Sequence, residues 1–407
     1  MAKEIRKNMT IVAAVIAAFI LLTCGFSVEA SAASAVSVYV DDVPVAWTDA
    51  YPYIDGNNRT MVPLRQIANV MEMDVSWDGT TQTAQFVKTY DNERECPDVY
   101  GYASSVTIRF HIGSAVAEVY TDNGYYDEVV MDTTAVVRNG RTFAPIRYLA
   151  EAAGYEVDWE GNSQTVSLYS EERQFFEALS SPIQISNCTE EELADILLSA
   201  NKAGLTSVSI EFDNSMAYSD LVGLVQDAVE TSFNQTPEYG YYTENYRLRT
   251  TLGFNNQTIT ISWSEADGGY TKRQEAFEAG AALLSQLYHE GQLLPTMSEH
   301  ERARIILNAI SSRNAANTDT DGYLTHTAWA SLVEHYGVCS SKTGAYNMLL
   351  TMDGIKCWGQ DGYTHGQYHL WTGCVLDGQT VYTDATIHSD TNFALTQAEL
   401  SKTHVFA

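Results

Sequence analysis

Three short stretches decide how this chain reads: residues 336–350, YGVCSSKTGAYNMLL; residues 368–373, YHLWTG; and residues 381–388, VYTDATIH. Cys339 follows Gly337-Val338 and opens a segment bearing Ala, Leu and Met, which predicts a helix starting at the thiol. His369 stands in an aromatic, strand-like run and Asp384 in the next one. Between them Asp377-Gly378 is the signal of a two-residue type I′ hairpin, which places Asp384 on the strand beside His369. A thiol at a helix N-terminus feels the positive end of the helix dipole, and its pKa falls. An imidazole can then take the thiol proton, and a carboxylate can hold that imidazole in one tautomer.

The order of helix-borne Cys339, strand-borne His369 and strand-borne Asp384 resembles the transglutaminase-like branch of the papain-type cysteine enzymes. The resemblance implies an α+β core over residues 296–407, with the Cys helix packed on an antiparallel sheet that presents His and Asp from neighbouring strands. It implies Cys339, His369 and Asp384 as a catalytic triad for acyl transfer to or from peptide or protein amides. Water as the acceptor gives a cysteine protease or amidase, the favoured expectation; a lysine amine gives a protein-crosslinking transglutaminase. Asp384-Ala385-Thr386 matches the family's D-x-T element. The family often carries H-A-W-N where this chain has His369-Leu370-Trp371-Thr372, so detailed substrate contacts do not carry over. The backbone N–H of Cys339 is a natural oxyanion donor, because helix N-terminal amides lack intrahelical partners; Trp329 and Tyr336 are the candidates for the second. A non-catalytic alternative keeps the fold as the scaffold of a cell-surface binding protein.

Other residues compete for these roles. His335 lies near the thiol in sequence but on a segment leading into a glycine turn, and it is expected to point elsewhere. His365 sits in the Gly-rich connection GYTHGQ, and His388 follows the Asp384 run. Cys357 and Cys374 read as structural residues facing each other across paired strands, either bonded or as two thiols. No cofactor and no metal are expected: Cys339, Cys357, Cys374 and His369 are spaced too widely for a zinc knuckle, and no G-x-S-x-G setting exists for a serine nucleophile.

The N-terminus carries Lys3, Arg6 and Lys7, then an apolar run from Ile11 to Phe26, then Ala30-Ser31-Ala32. This reads as a signal peptide over residues 1–32, with the mature chain starting at Ala33 and located outside the cell, secreted or at its surface. A retained membrane anchor is the second reading. Without Cys24 the remaining five cysteines are odd in number and thinly spread, which suits neither a disulfide scaffold nor a metal site.

Residues 59–88 (RTMVPLRQIANVMEMDVSWDGTTQTAQFVK) and 141–170 (RTFAPIRYLAEAAGYEVDWEGNSQTVSLYS) repeat one pattern. Pro63 aligns with Pro145, Arg65 with Arg147, Trp77 with Trp159 and Thr83 with Thr165, each pair 82 positions apart. Both copies parse as a turn, a strand into Pro-x-Arg, a helix, a Trp-bearing strand, a polar turn and a last strand. The segment 36–170 resembles the N-terminal domain of copper amine oxidases, a module also attached to exported proteins of Gram-positive bacteria. It is expected to be non-catalytic and to bind no copper, since His111 and Cys96 are almost its only ligand types for that ion. The two Trp side chains are expected to be largely buried, capping the core. A wall or surface ligand for this segment is carried as an alternative role.

Residues 171–295 read as a small α/β region, with a capping box at Thr189, alternating strands and a long helix ending near Glu290. Its run Tyr239, Tyr241, Tyr242 and Tyr246 could face a groove, but exposed sheet tyrosines are common. The 407 residues are enough for two or three domains, and the formal charge of −29 argues against nucleic acid as a partner. That acidity suits solubility outside the cell.

Overall fold

The computed structural model describes residues 36–407, except 91–94, 186–187, 214–216, 241, 253–255, 266–267, 315–321 and 387–389. Residues 1–32, read above as a signal peptide, and His388 therefore lie outside the described residues. Val36–Ala407 forms one unit with a mixed architecture of helices and five sheets. Its buried apolar residues fall into three main clusters that run in chain order: Val36 to Leu168, Phe176 to Ile261, and Ala276 to Phe393 joined by Ala46. Among the described residues no helix is long and apolar enough to cross a membrane.

The repeat folds as its sequence divides. The strand Thr60–Pro63 runs into the helix Leu64–Val70 and the hairpin Met73–Asp78 with Thr83–Thr89. The second copy gives Arg141–Pro145, Ile146–Ala152, Glu156–Glu160 and Thr165–Tyr169. In each, Pro ends the strand and caps the helix, where its missing N–H costs nothing. The two Pro-bearing strands pair antiparallel with each other, Pro63 opposite Phe143, Val62 opposite Ala144 and Met61 opposite Pro145. Burial of the two tryptophans is corrected: Trp77 is 46% and Trp159 39% exposed. Each ring sits at the turn end of its hairpin, with its indole nitrogen over the turn glycine, Gly79 or Gly161, beyond the edge of the core. His111 is engaged by Thr83 Oγ1 at 2.8 Å and faces Glu118 at 3.5 Å.

The middle sheet orders Ile183–Ile185, Ser207–Asp213, Asn256–Glu265 and Thr243–Leu252, and it shares a core with the helices Glu190–Lys202 and Tyr218–Gln235. Thr189 and Glu192 form the reciprocal capping box at the first of these helices. The tyrosine run does not form an open groove among the described residues. Tyr242 is buried with its hydroxyl accepting from Trp329 N at 3.0 Å, and Tyr239 stacks against Phe277. The Tyr242–Trp329 contact fastens the middle region to the C-terminal one, while Tyr239 meets the helix Gly269–His289, which lies within residues 171–295 but packs into the third core cluster. Tyr241 and the Tyr246 side chain lie outside the described residues.

The helix Cys339–Met352 occupies the centre of the last region. It is flanked by the helices Gly269–His289, Glu299–Arg313 and Ala328–Leu332 and by the sheet. The chain ahead of the Cys helix forms a 3₁₀ turn at Tyr323–His326 and the short helix Ala328–Leu332. Being covered on all sides, the central helix buries its polar first turn as well: Ser340, Ser341 and Lys342 are all enclosed. Gly280 and Gly344 let neighbours approach it closely, since a Cβ at Gly344 would lie 2.8 Å from Pro237 O.

The sheet beneath it is antiparallel, in the order Gln379–Thr383, Gln367–Leu376, Cys357–Thr364, His404–Phe406. Asp377 and Gly378 both take positive φ, as a type I′ turn requires. His365 and Gly366 do the same between Cys357–Thr364 and Gln367–Leu376, so the expected Gly-rich connection is a tight hairpin. The thiols Cys357 and Cys374 are direct cross-strand neighbours and are not bonded to each other.

Candidate active site

Cys339 is the first residue of its helix, and the backbone before it explains how it gets there. Gly337 holds φ at +141°, a region in which side chains are strained, and a Cβ on it would lie 2.0 Å from Ser341 Oγ. The chain thus enters the helix through a turn that glycine alone accommodates. Cys339 is half-buried, and the His369 imidazole lies near enough to its thiol for each to shift the other's titration.

His369 is carried by the strand Gln367–Leu376, which is tied to the Cys helix twice. Thr343 Oγ1 donates to Leu370 O at 3.1 Å, and Thr372 Oγ1 lies 2.7 Å from the side-chain amide of Asn347. Thr372 is therefore buried against the helix. On its other side His369 Nε2 lies 3.0 Å from Asp384 Oδ2, leaving Nδ1 as the ring atom for the thiol. Asp384 stands one residue past the end of Gln379–Thr383 rather than within the strand, and its backbone N–H donates to Asn392 O. Its Oδ1 accepts from Thr386 N at 2.9 Å, which gives the Asp-x-Thr spacing a physical meaning.

The electrostatics arise from these contacts. Burial alone would raise the Cys339 thiol, but the His369 hydrogen bond and charge, with the backbone amides of Leu370 and Ser340, bring it below its ordinary value. Burial works against a charged His369; Asp384 and the sulfur outweigh it and push the imidazole up to about 10. Burial would also raise Asp384, yet hydrogen bonds from two imidazoles and from Thr386 hold it well below the usual carboxylate range. Both shifts favour the pair of Cys339 thiolate and His369 imidazolium, with the imidazole anchored by a carboxylate, an arrangement suited to nucleophilic attack with proton return.

Two participants had no sequence signal. Lys342, enclosed on the same helix, is depressed by its burial and is opposed in this by the charges of Asp384 and Cys339. His404 reaches Asp384 Oδ2 with its Nε2 at 3.3 Å from the C-terminal strand. A helix-period or strand-period reading cannot report which distant strand completes a sheet, and His404 lies outside every motif. Among the described residues His369, Asp384 and His404 place three ligand atoms within 4.8 Å of one another. His369 Nε2 and His404 Nε2 lie 3.0 and 3.3 Å from Asp384 Oδ2, within hydrogen-bonding range of it.

The competing histidines stand apart. His335 is exposed with φ +61°, and His365 sits in its hairpin turn beside Thr364. Of the second oxyanion candidates, Trp329 is committed elsewhere: its indole donates to Glu275 Oε2 at 2.7 Å and its backbone N–H to Tyr242. Tyr336 donates its own backbone N–H to Ala330 O.

Comparison with known proteins divides between the two ends of the chain. No curated protein matches the sequence. Structural neighbours include a candidate cysteine protease from Cytophaga hutchinsonii, 12% identical, with 40% of this chain and 65% of that one covered and a TM-score of 0.23. A TGase is 11% identical over 67% of this chain and 74% of that one, with a TM-score of 0.26. A candidate protease from Parabacteroides distasonis is 8% identical over 80% and 70%, with a TM-score of 0.22. At the N-terminal end the match is to a sequence family: residues 39–168, the span of the internal repeat, match the copper amine oxidase N-terminal domain.

Proposed function

We propose that the protein is an exported cysteine hydrolase that cleaves peptide or protein amides through a thioester on Cys339. The observation that supports this most is the contact chain from the helix-start thiol through His369 to the buried Asp384. The Cys339 thiolate attacks the amide carbonyl and forms a C–S bond; the carbonyl π electrons move to oxygen, facing the first-turn amides. As the C–N bond breaks, the imidazolium of His369 gives its proton to the departing amine. Water then attacks the thioester, loses a proton to the neutral His369, and expels the thiolate as the acid is released. Asp384 keeps Nε2 protonated throughout, so that Nδ1 is the atom that exchanges the proton.

The repeat segment takes no part in this chemistry and is read as an accessory module outside the cell. The test is a screen of peptide-amide hydrolysis run beside incorporation of a primary amine into a glutamine-bearing protein. Hydrolysis that Cys339→Ala removes supports the reading. Amine incorporation that dominates over hydrolysis replaces it with a crosslinking enzyme, and neither activity in a protein whose Cys339 fails to alkylate selectively removes the enzyme reading.

A further inference from the structure

Asp384 holds two imidazoles on one oxygen. His404, 2% exposed, meets Oδ2 from a different strand than the proposed base. Its strand, His404–Phe406, pairs with Cys357–Thr364 by Thr364 opposite His404, Tyr363 opposite Val405 and Gly362 opposite Phe406. Gly362 is what allows this closeness: a Cβ there would lie 2.1 Å from Val405 O and 2.7 Å from the Trp371 ring. Trp371 in turn packs edge-on against the His404 ring, with centroids 4.9 Å apart. On the far side of the ring, Nδ1 lies 2.8 Å from Thr403 Oγ1. The Thr403 hydroxyl also reaches Leu400 O at 3.2 Å, so the ring's proton is assigned from its other end: an ionised Asp384 carboxylate only accepts, and the 3.3 Å contact therefore takes its proton from Nε2.

We propose that His404 is a positioning residue of the Cys339–His369–Asp384 site, fixing the carboxylate by a second N–H on Oδ2 that is independent of the base. The inference rests on the reading of Cys339 as the nucleophile. A fully buried carboxylate needs donors to offset its lost hydration. Thr386 N secures Oδ1, but without His404 the described hydrogen bonds leave the other oxygen to the imidazole it has to orient. That difference matters most midway through turnover. Once His369 has passed its proton to the leaving amine, its charge no longer attracts Asp384. The His404 hydrogen bond keeps the carboxylate in place until water is activated. The C-terminal strand is then part of the site's support, through the His404 hydrogen bond to Asp384.

The test uses the full chain and reads the pH profile of Cys339 alkylation by iodoacetamide, measured by mass on the Cys339 peptide. Two near-isosteric replacements separate the hydrogen bond from the packing: His404→Gln retains an N–H donor, and His404→Met fills similar space without one. The Met variant should alkylate at neutral pH about tenfold more slowly than wild type, the scale of one lost charge-assisted hydrogen bond, while the Gln variant stays close to wild type. Equal profiles for wild type, Gln and Met overturn the inference, as do equal losses in Gln and Met, which would mark a packing role. Stoichiometric zinc retained by the wild type and lost in the Met variant would overturn it in favour of a metal site. If wild-type Cys339 reacts no faster than Cys374, the nucleophile reading itself has failed and this inference falls with it; reactive wild type with unaffected variants removes only the inference.

Discussion

Gly337 stands so close to Ser341 that a single added methyl would fall 2.0 Å from the serine oxygen. With φ at +141°, this residue near the start of the Cys helix also occupies a conformation side chains resist. Gly337→Ala should therefore cost about 1–3 kcal/mol and displace the first helical turn. Urea denaturation checks the first part and the Cys339 alkylation rate the second; a variant with wild-type values in both would show that the turn tolerates a side chain.

Removing the thiol or the base should end turnover without unfolding the protein. Cys339→Ala and His369→Ala are each expected to lower amide hydrolysis by about 10⁴-fold or more. His335→Ala and His365→Ala should retain most activity, because one side chain is exposed away from the site and the other sits in a hairpin turn. Loss of activity in His365→Ala alone would move the base to the turn.

The raised His369 pKa makes a prediction about alkaline stability. A group held above its ordinary value of 6.5, here up to about 10, stabilises the fold fully below that ordinary value. The contribution declines as pH rises and is lost through about pH 10. The stability difference between wild type and His369→Gln should track that window when denaturation is repeated from about pH 6 to about pH 11. A difference independent of pH would mean that the imidazole is not charged in the native state.

Asp353 offers a test outside the site. Enclosed at the end of the Cys helix, it accepts from Tyr288 at 2.6 Å and pairs with Arg302 at 2.7 Å. Burial pushes its carboxyl up, against the pull of Arg302. Arg302→Met leaves that carboxylate without its cation and should cost about 3 kcal/mol, since breaking one side of a buried pair strands the other. Thermal and chemical denaturation report it; a loss below about 0.5 kcal/mol would place the pair among ordinary surface ion pairs.

Local sequence encodes the features that could be read in advance. The Cys helix start, the Asp377-Gly378 hairpin, the capping box at Thr189 and the repeat are each written within a few residues, and each is found. The features that escaped depend on distant chain. Trp77 and Trp159 repeat in sequence, but whether a ring at a hairpin end is covered depends on what packs there, and these two stay exposed. His404 joins the site only through the pairing of the C-terminal strand with Cys357–Thr364, and Lys342 is enclosed only because the helix is covered on every side. The tyrosine run was readable as aromatic, not as an adhesive between regions.

The pairing of the two Pro-bearing strands has a further consequence. Val62 and Ala144 are equivalent positions of the repeat and sit opposite each other, with Met61 facing Pro145 and Pro63 facing Phe143. The ladder therefore maps onto itself under a local twofold rotation, the isologous geometry of a homodimer. A half-length chain would leave that strand as an open edge, and its natural cover would be the same edge of another copy. The tandem repeat is in this sense a dimer interface written into one polypeptide, in which covalent linkage replaces concentration as the force that holds the two halves together.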